Sequence, residues 1–339
     1  MTTRSTAPTL KPSREGVNNG RATESPVPWP NSGSVISRDG TTIGYGQVGR
    51  GPGLVVLHGT MSSAYNHHEL AQALADTYTV YVPDRRGRGR SGQFGPGYGL
   101  RSEVEDLDAL LAATEASQVF GVSSGGIIAL EAALTLPNAR RIAVFEPPLF
   151  PDTGLPIRIL RNFDSLMAEG RLARALVMAM KEAQMGPAFF RAMPAWLTER
   201  LTGLMLAQED RKGSDAYVSM HELAPTLHYD FQLVAEASGR IEHFKAIHAE
   251  VHLLGGSRSP AYLKRALATL ETLVPRSTRI ELSGLDHAAS WNSDRGGRPG
   301  PVAAAIRQML SSRYLSCWRR ECFSHASAAR GEADPSRRR

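Results

Sequence analysis

The chain has 339 residues, 42% hydrophobic and 21% charged, with a formal net charge of +6, enough to bury a large core in one domain or two smaller ones. Residues 1–33 carry four basic and two acidic side chains and 313–339 carry seven and three, so tails of +2 and +4 leave the middle near neutral, whereas a nucleic-acid reader needs a basic face on its folded part. No stretch reaches the roughly 18 consecutive apolar residues of a membrane span and the N-terminus lacks the apolar region of a secretory signal, so a cytoplasmic protein without membrane or nucleic-acid partners is expected.

Residues 1–33 are rich in Pro, Ser, Thr and Asn and contain no apolar run, so they read as a disordered arm that cannot repay its ordering entropy. The hairpin Ser34–Gly46 follows, with Asp39-Gly40 at its turn. Gly44-Tyr45-Gly46-Gln47-Val48-Gly49 matches the dinucleotide pattern G-x-G-x-x-G, but Gly51-Pro52-Gly53 and another strand follow it where a helix would be needed. The match reads as accidental.

Strands and helices then alternate. GLVVLH (53–58), TVYVPD (79–84), SQVFGV (117–122) and IAVF (142–145) are apolar runs suited to buried parallel strands, each followed by a helical or turn stretch. From 147 to 246 only helical patterns occur, and strands resume at EVHLLGG (250–256) and RIELSG (279–284). The fold class is therefore α/β, a mostly parallel sheet with helices on both faces, interrupted by a helical insert. The domain reading is a core of 34–146 and 247–312, a helical segment of 147–246, and a basic, disordered tail of 313–339. Cys317 and Cys322, the two cysteines of the chain, lie in that tail. Their C-x4-C spacing with one nearby histidine falls short of a metal site, and a core without cysteine fits a reducing compartment. The basic run Arg85–Arg90, interleaved with glycine, reads as a solvated loop.

The stretch Gly121-Val-Ser-Ser-Gly-Gly lies between a strand and the helix IIALEAALTL. Presenting a serine from such a turn requires residues without side chains two before and two after it. Gly121 and Gly125 flank Ser123 at that spacing, whereas Ser124 has Val122 before it. Ser123 is thus the expected nucleophile. A serine hydroxyl needs a base and donors for its oxyanion. His287, just past the strand RIELSG, is the best-placed base of the ten histidines, and the backbone N–H groups of Thr60 and Ser124 are the expected donors.

His58-Gly-Thr60, Asp84-Arg-Arg-Gly-Arg-Gly-Arg-Ser91, Gly121-Val-Ser-Ser-Gly-Gly and the late Asp286-His287, in that order, resemble the α/β-hydrolase fold family over residues 34–312. The resemblance implies an eight-stranded sheet that opens with a hairpin, an oxyanion loop after the third strand, the nucleophile after the fifth and a cap formed by 147–246. It also implies that Asp84 and the arginines after it form a structural turn below the site. The chain departs from the family's commoner pattern after the penultimate strand, where Ser259 stands in place of an acid. A minority of members resembles this chain in carrying the acid at the end of the sixth strand, which here gives Glu146 that role.

The expected chemistry is acyl transfer without a cofactor or metal, on a small, apolar ester or related acyl compound. The alternatives are a cofactor-free perhydrolase or haloperoxidase-like member, a C–C bond-cleaving member, or a non-catalytic ligand binder. In the insert, Ile157, Leu160, Phe163 and Met167 share a helical face and seven of the ten methionines fall between 151 and 246, which suits an adaptable apolar pocket. His67, His68 and Glu69 lack the second histidine of H-E-x-x-H and read as polar residues at a helix start.

Overall fold

The computed structural model describes residues 29–186, 192–212 and 217–311. The arm up to residue 28 and the tail from 312, with Cys317 and Cys322, lie outside the described residues. The strands are β1 (Asn31–Ile36), β2 (Thr42–Gly49), β3 (Gly53–Leu57), β4 (Thr79–Pro83), β5 (Gln118–Val122), β6 (Arg141–Phe145), β7 (Glu250–Gly256) and β8 (Ser277–Leu282). They form one sheet in the order β1-β2-β4-β3-β5-β6-β7-β8, with β2 antiparallel to both neighbours and the remaining pairs parallel. Strand β1 starts inside the stretch expected as an arm: Asn31 pairs with Gln47, and Trp29 packs edge-on against His68. The G-x-G-x-x-G match is strand β2, with no helix behind it.

Side-chain alternation along the strands divides the core between two faces. Val55 and Leu57 of β3 face α2 (Leu100–Thr114), α3 (Ser124–Thr135), α7 (Leu227–Ala237) and α8 (Ala261–Leu273), which contribute Leu107, Ile127, Leu233 and Leu267. Leu54 and Val56 face the other way, onto Leu70 of α1 (His68–Leu74) and Ile306 of α9 (Pro299–Leu310). Because crossover connections between parallel strands carry helices to both faces, the inner strands are buried on both sides.

Between β6 and β7 lie α4 (Gly154–Ala168), α5 (Leu172–Glu182), α6 (Ala195–Lys212), a one-turn helix Met220–Leu223, and α7. Phe163, Leu176, Leu206 and Leu227 give these helices a small core of their own. On α4 the fully buried residues are Pro156, Ile159 and Phe163. That face is rotated from the one expected, which leaves Ile157 and Leu160 half-buried.

Candidate active site

Ser123 stands at the junction of β5 and α3 with φ 54° and ψ −121°, a conformation that costs a non-glycine residue roughly 1–3 kcal/mol. The flanking glycines make the junction possible. A Cβ on Gly121 would lie 2.3 Å from the Gly125 carbonyl oxygen, and one on Gly125 would lie 2.5 Å from that of Leu57. Strand, turn and helix therefore approach with no space for side chains.

Strand β6 repeats the device one position along the sheet. Val122 and Phe145 are register partners and the Ser123 N–H donates to the Phe145 carbonyl at 2.9 Å, so Ser123 and Glu146 follow at matching strand ends. Glu146 likewise has a positive φ, 51°. Its carboxylate is fully buried, a costly placement unless both oxygens find donors. They do: Oε1 accepts from Gly256 N at 2.6 Å and Oε2 accepts from His287 Nδ1 at 2.7 Å. Gly255 leaves the space, since a Cβ there would come within 3.1 Å of Oε1. With its Nδ1 proton directed at Glu146, His287 keeps Nε2 as an acceptor. Ser259, at the family's commoner acid position, is buried and its hydroxyl has no hydrogen-bond partner.

Thr60 lies on the loop after β3, and its Oγ1 is 3.4 Å from Ser124 Oγ. Ser124 is the first residue of α3, so its N–H falls outside the helical ladder. Thr60, Ser123 and His287 all line one cavity of about 450 Å³, within the usual size range of small-molecule sites. The other walls are mainly apolar: Ile159, Leu176, Met180 and Phe231 come from the helices after β6, and Trp291 from the loop after His287.

The basic run after Asp84 corrects the sequence expectation, because it is not solvated. Arg85, Arg86 and Arg88 are only 2%, 1% and 2% exposed. Arg85 pairs with Glu103 at 2.8 Å and Asp230 at 2.9 Å, Arg88 pairs with Asp230 at 2.5 Å, and Arg86 holds Asp106 at 2.6 Å. Burial alone would raise the pKa of Asp230, but Arg88 and Arg85 outweigh it and hold the carboxyl below its ordinary range. Glu103 is held down against burial in the same way by Arg85. Asp84 accepts from the N–H groups of Ala64 and Arg90, a structural turn as the resemblance implies. His58 is also buried, donating from Nδ1 to the Gly59 carbonyl and accepting from the Arg85 N–H on Nε2. Burial pushes its pKa well down, with Arg88 and Arg85 adding to the effect.

His67 is fully buried, donating from Nδ1 to the Ser290 carbonyl, and Glu69 accepts from Ser293. Among the described residues no group of three or more His, Cys, Asp or Glu could hold a metal ion. No helix of these residues is long and apolar enough to cross a membrane. Sequence reasoning passed over Asp230 and Glu103, which the fold joins to the turn that carries Ser123.

Comparison with known proteins agrees with this architecture. A Bacillus subtilis protein described as uncharacterized hydrolase YraK is 33% identical over 114 residues, which are 32% of this chain and 42% of that protein. A pimeloyl-[acyl-carrier protein] methyl ester esterase from Aeromonas hydrophila is 30% identical over 188 residues, 52% of this chain and 73% of the esterase. The crystal structure of an alpha/beta hydrolase from Sphaerobacter thermophilus superimposes with a TM-score of 0.67 at 29% identity, covering 82% of this chain and 100% of that one. Residues 54–305 match the alpha/beta hydrolase family as a whole, and with the sheet order and the strand-to-helix junction at Ser123 this establishes that the chain belongs to that family.

Proposed function

We propose that the chain is a serine hydrolase that forms an acyl-enzyme on a small apolar ester or related acyl compound. The observation that carries this reading is the 2.7 Å bond from His287 Nδ1 to Oε2 of the buried Glu146, with His287 on the same cavity as a serine held at positive φ. His287 Nε2 takes the proton of Ser123 Oγ as that oxygen attacks the carbonyl carbon. The oxyanion so formed is met by the N–H groups of Thr60 and Ser124. His287 then gives its proton to the departing alcohol oxygen, which leaves the acyl group on Ser123. Water repeats the sequence: His287 removes its proton, the hydroxyl oxygen attacks the acyl carbon, and the proton returns to Ser123 as the acid departs. Glu146 keeps the imidazole in the tautomer that accepts from serine and balances the imidazolium.

The helices of 147–246 serve as a cap whose apolar side chains receive the acyl or alcohol group and exclude water. The esterase from Aeromonas hydrophila, named for a methyl ester of an acyl chain, supports an ester as the substrate class. No cofactor enters these steps. Incubation with a fluorophosphonate followed by peptide mapping tests the assignment. Ser123 should carry the label, Ser123→Ala should abolish ester hydrolysis, and label on Ser124 or on neither serine would overturn it.

A further inference from the structure

The mechanism uses the backbone N–H of Ser124 and leaves its side chain idle. That hydroxyl is fully buried and engaged on three sides: it donates to Asp230 Oδ1 at 3.0 Å, accepts from Arg85 Nη1 at 3.1 Å and lies 3.4 Å from Thr60 Oγ1. The two residues whose amides meet the oxyanion are thus joined through their side chains. The joint is in turn fastened to a cluster of two cations and two anions, Arg85, Arg88, Glu103 and Asp230. Arg85 and Arg88 lie on the turn after β4, and Glu103 on α2. Asp230 alone comes from the helices between β6 and β7, and it sits 106 positions from Ser124 in the chain.

A buried carboxylate needs its charge balanced, and two arginines already do that. Those ion pairs do not require Asp230 to accept from Ser124, at the N-terminal turn of α3. We propose that Asp230 is a positioning residue for the oxyanion donors. It holds the Ser124 hydroxyl, and through it the first turn of α3 and the side chain of Thr60, so that the donors are aligned only when α7 is seated against α2 and α3. Asp230 touches no substrate and acts through Ser124. The inference rests on the serine-hydrolase reading above. It adds that the cap is wired to the catalytic turn by the Ser124–Asp230 hydrogen bond and by the Asp230 ion pairs with Arg85 and Arg88 as well as by apolar packing.

The test is a double-mutant cycle on the full chain with Ser124→Ala, Asp230→Asn and the pair combined, measuring kcat, KM and melting temperature on p-nitrophenyl butyrate. Ser124→Ala keeps its N–H, so kcat should fall about tenfold, a fraction of the 10²–10³ lost when a donor is removed outright. KM should stay within about twofold and the melting temperature near that of the wild type. Asp230→Asn should lower both kcat and melting temperature, while the double variant should be no slower than the slower single one, because both changes break the same link. Wild-type kcat in Ser124→Ala, or losses that multiply in the double variant, would overturn the proposal. If Asp230→Asn does not fold, adding Arg88→Met removes the cation left without an acid and gives the same cycle on a neutral cluster. A wild type that takes no fluorophosphonate at Ser123 overturns the serine-hydrolase reading and this proposal with it. A labelled, active wild type with an unaffected Ser124→Ala overturns the positioning role alone.

Discussion

Replacing Glu146 by Gln changes one atom in a site where both side-chain oxygens are committed. Gly256 N–H needs an acceptor at the Oε1 position, 2.6 Å away, so the amide oxygen must stay there. The amide nitrogen is then directed at His287 Nδ1, which now faces Oε2 at 2.7 Å. Two N–H groups cannot face each other, so His287 turns to the tautomer with its proton on Nε2. That nitrogen can no longer accept from Ser123, and any imidazolium that forms has no balancing charge. The corresponding Asp-to-Asn change in a serine protease lowers kcat about 10⁴-fold, equivalent to about 5.5 kcal/mol of barrier. The same order is expected here, because the buried geometry leaves no second acid among the described residues bonded to His287. The fold should be little affected, since size is kept and both hydrogen bonds are replaced. The assay is kcat/KM on an activated short-chain ester, with melting temperature as the folding check. Adding Ser259→Asp, at the family's commoner acid position, should recover part of the activity. A folded Glu146→Gln with kcat/KM within about tenfold of the wild type would refute the tautomer argument and the role given to Glu146.

Gly121→Ala forces a Cβ to 2.3 Å from a backbone oxygen and should cost about 1–3 kcal/mol or more, lowering the melting temperature and the rate together. Gly203→Ala, inside α6 with Ala173 Cβ no nearer than 4.0 Å, should instead stabilise by about 0.5–1 kcal/mol, and a shift of equal sign in both variants would contradict the steric account. Burial lowers the pKa of His67 from 6.5 to about 4 against its bond to the Ser290 carbonyl. The unfolded chain therefore binds a proton below about pH 6.5 that the folded chain refuses. The stability this lends is complete above pH 6.5 and is lost as the pH falls toward 4, by about 3 kcal/mol. His67→Gln should make the melting profile less steep over that window, where burial of His58 and His252 acts with the same sign, and a wild-type profile already flat there would sink the prediction.

The strands and the Ser123 turn were legible because their signals are local. Apolar runs of four to six residues alternate with helical periods, and two glycines at fixed spacing leave one serine to present. Glu146 came from the resemblance, which puts an acid at the end of the sixth strand in a minority of members, and the fold sets its carboxylate against His287. The buried state of Arg85, Arg86 and Arg88 was not legible, because charge and glycine content near a residue say nothing about partners far along the chain. The clue lay elsewhere, in acids on apolar helix faces. Glu103 and Asp106 sit among Leu100, Leu107 and Leu110 on α2, and Asp230 sits between Leu227 and Leu233 on α7. Read as buried, those acids require buried cations, and a near-neutral folded region supplies them. The shift of the α4 face to Pro156, Ile159 and Phe163 escaped notice because two candidate stripes on one apolar helix differ by a single residue, and tertiary packing chooses between them.

Strand β6 pairs with β5 on one side and with β7 on the other, and β7 begins at residue 250 whereas β6 ends at 145. During synthesis at roughly 5–20 residues per second, the outer edge of β6 waits about 5–20 s for its neighbour. Ile142–Phe145 is wholly apolar and ends fully buried, so over that interval it is an open template for another nascent chain. Arg141 and Glu146 bracket the run and place a charge at each end of the waiting edge, as gatekeepers do beside aggregation-prone strands. Glu146→Gln removes one of them. Its yield of soluble protein from cells is therefore expected to fall with the lifetime of a half-built sheet, a quantity that the melting temperature of the finished molecule does not register.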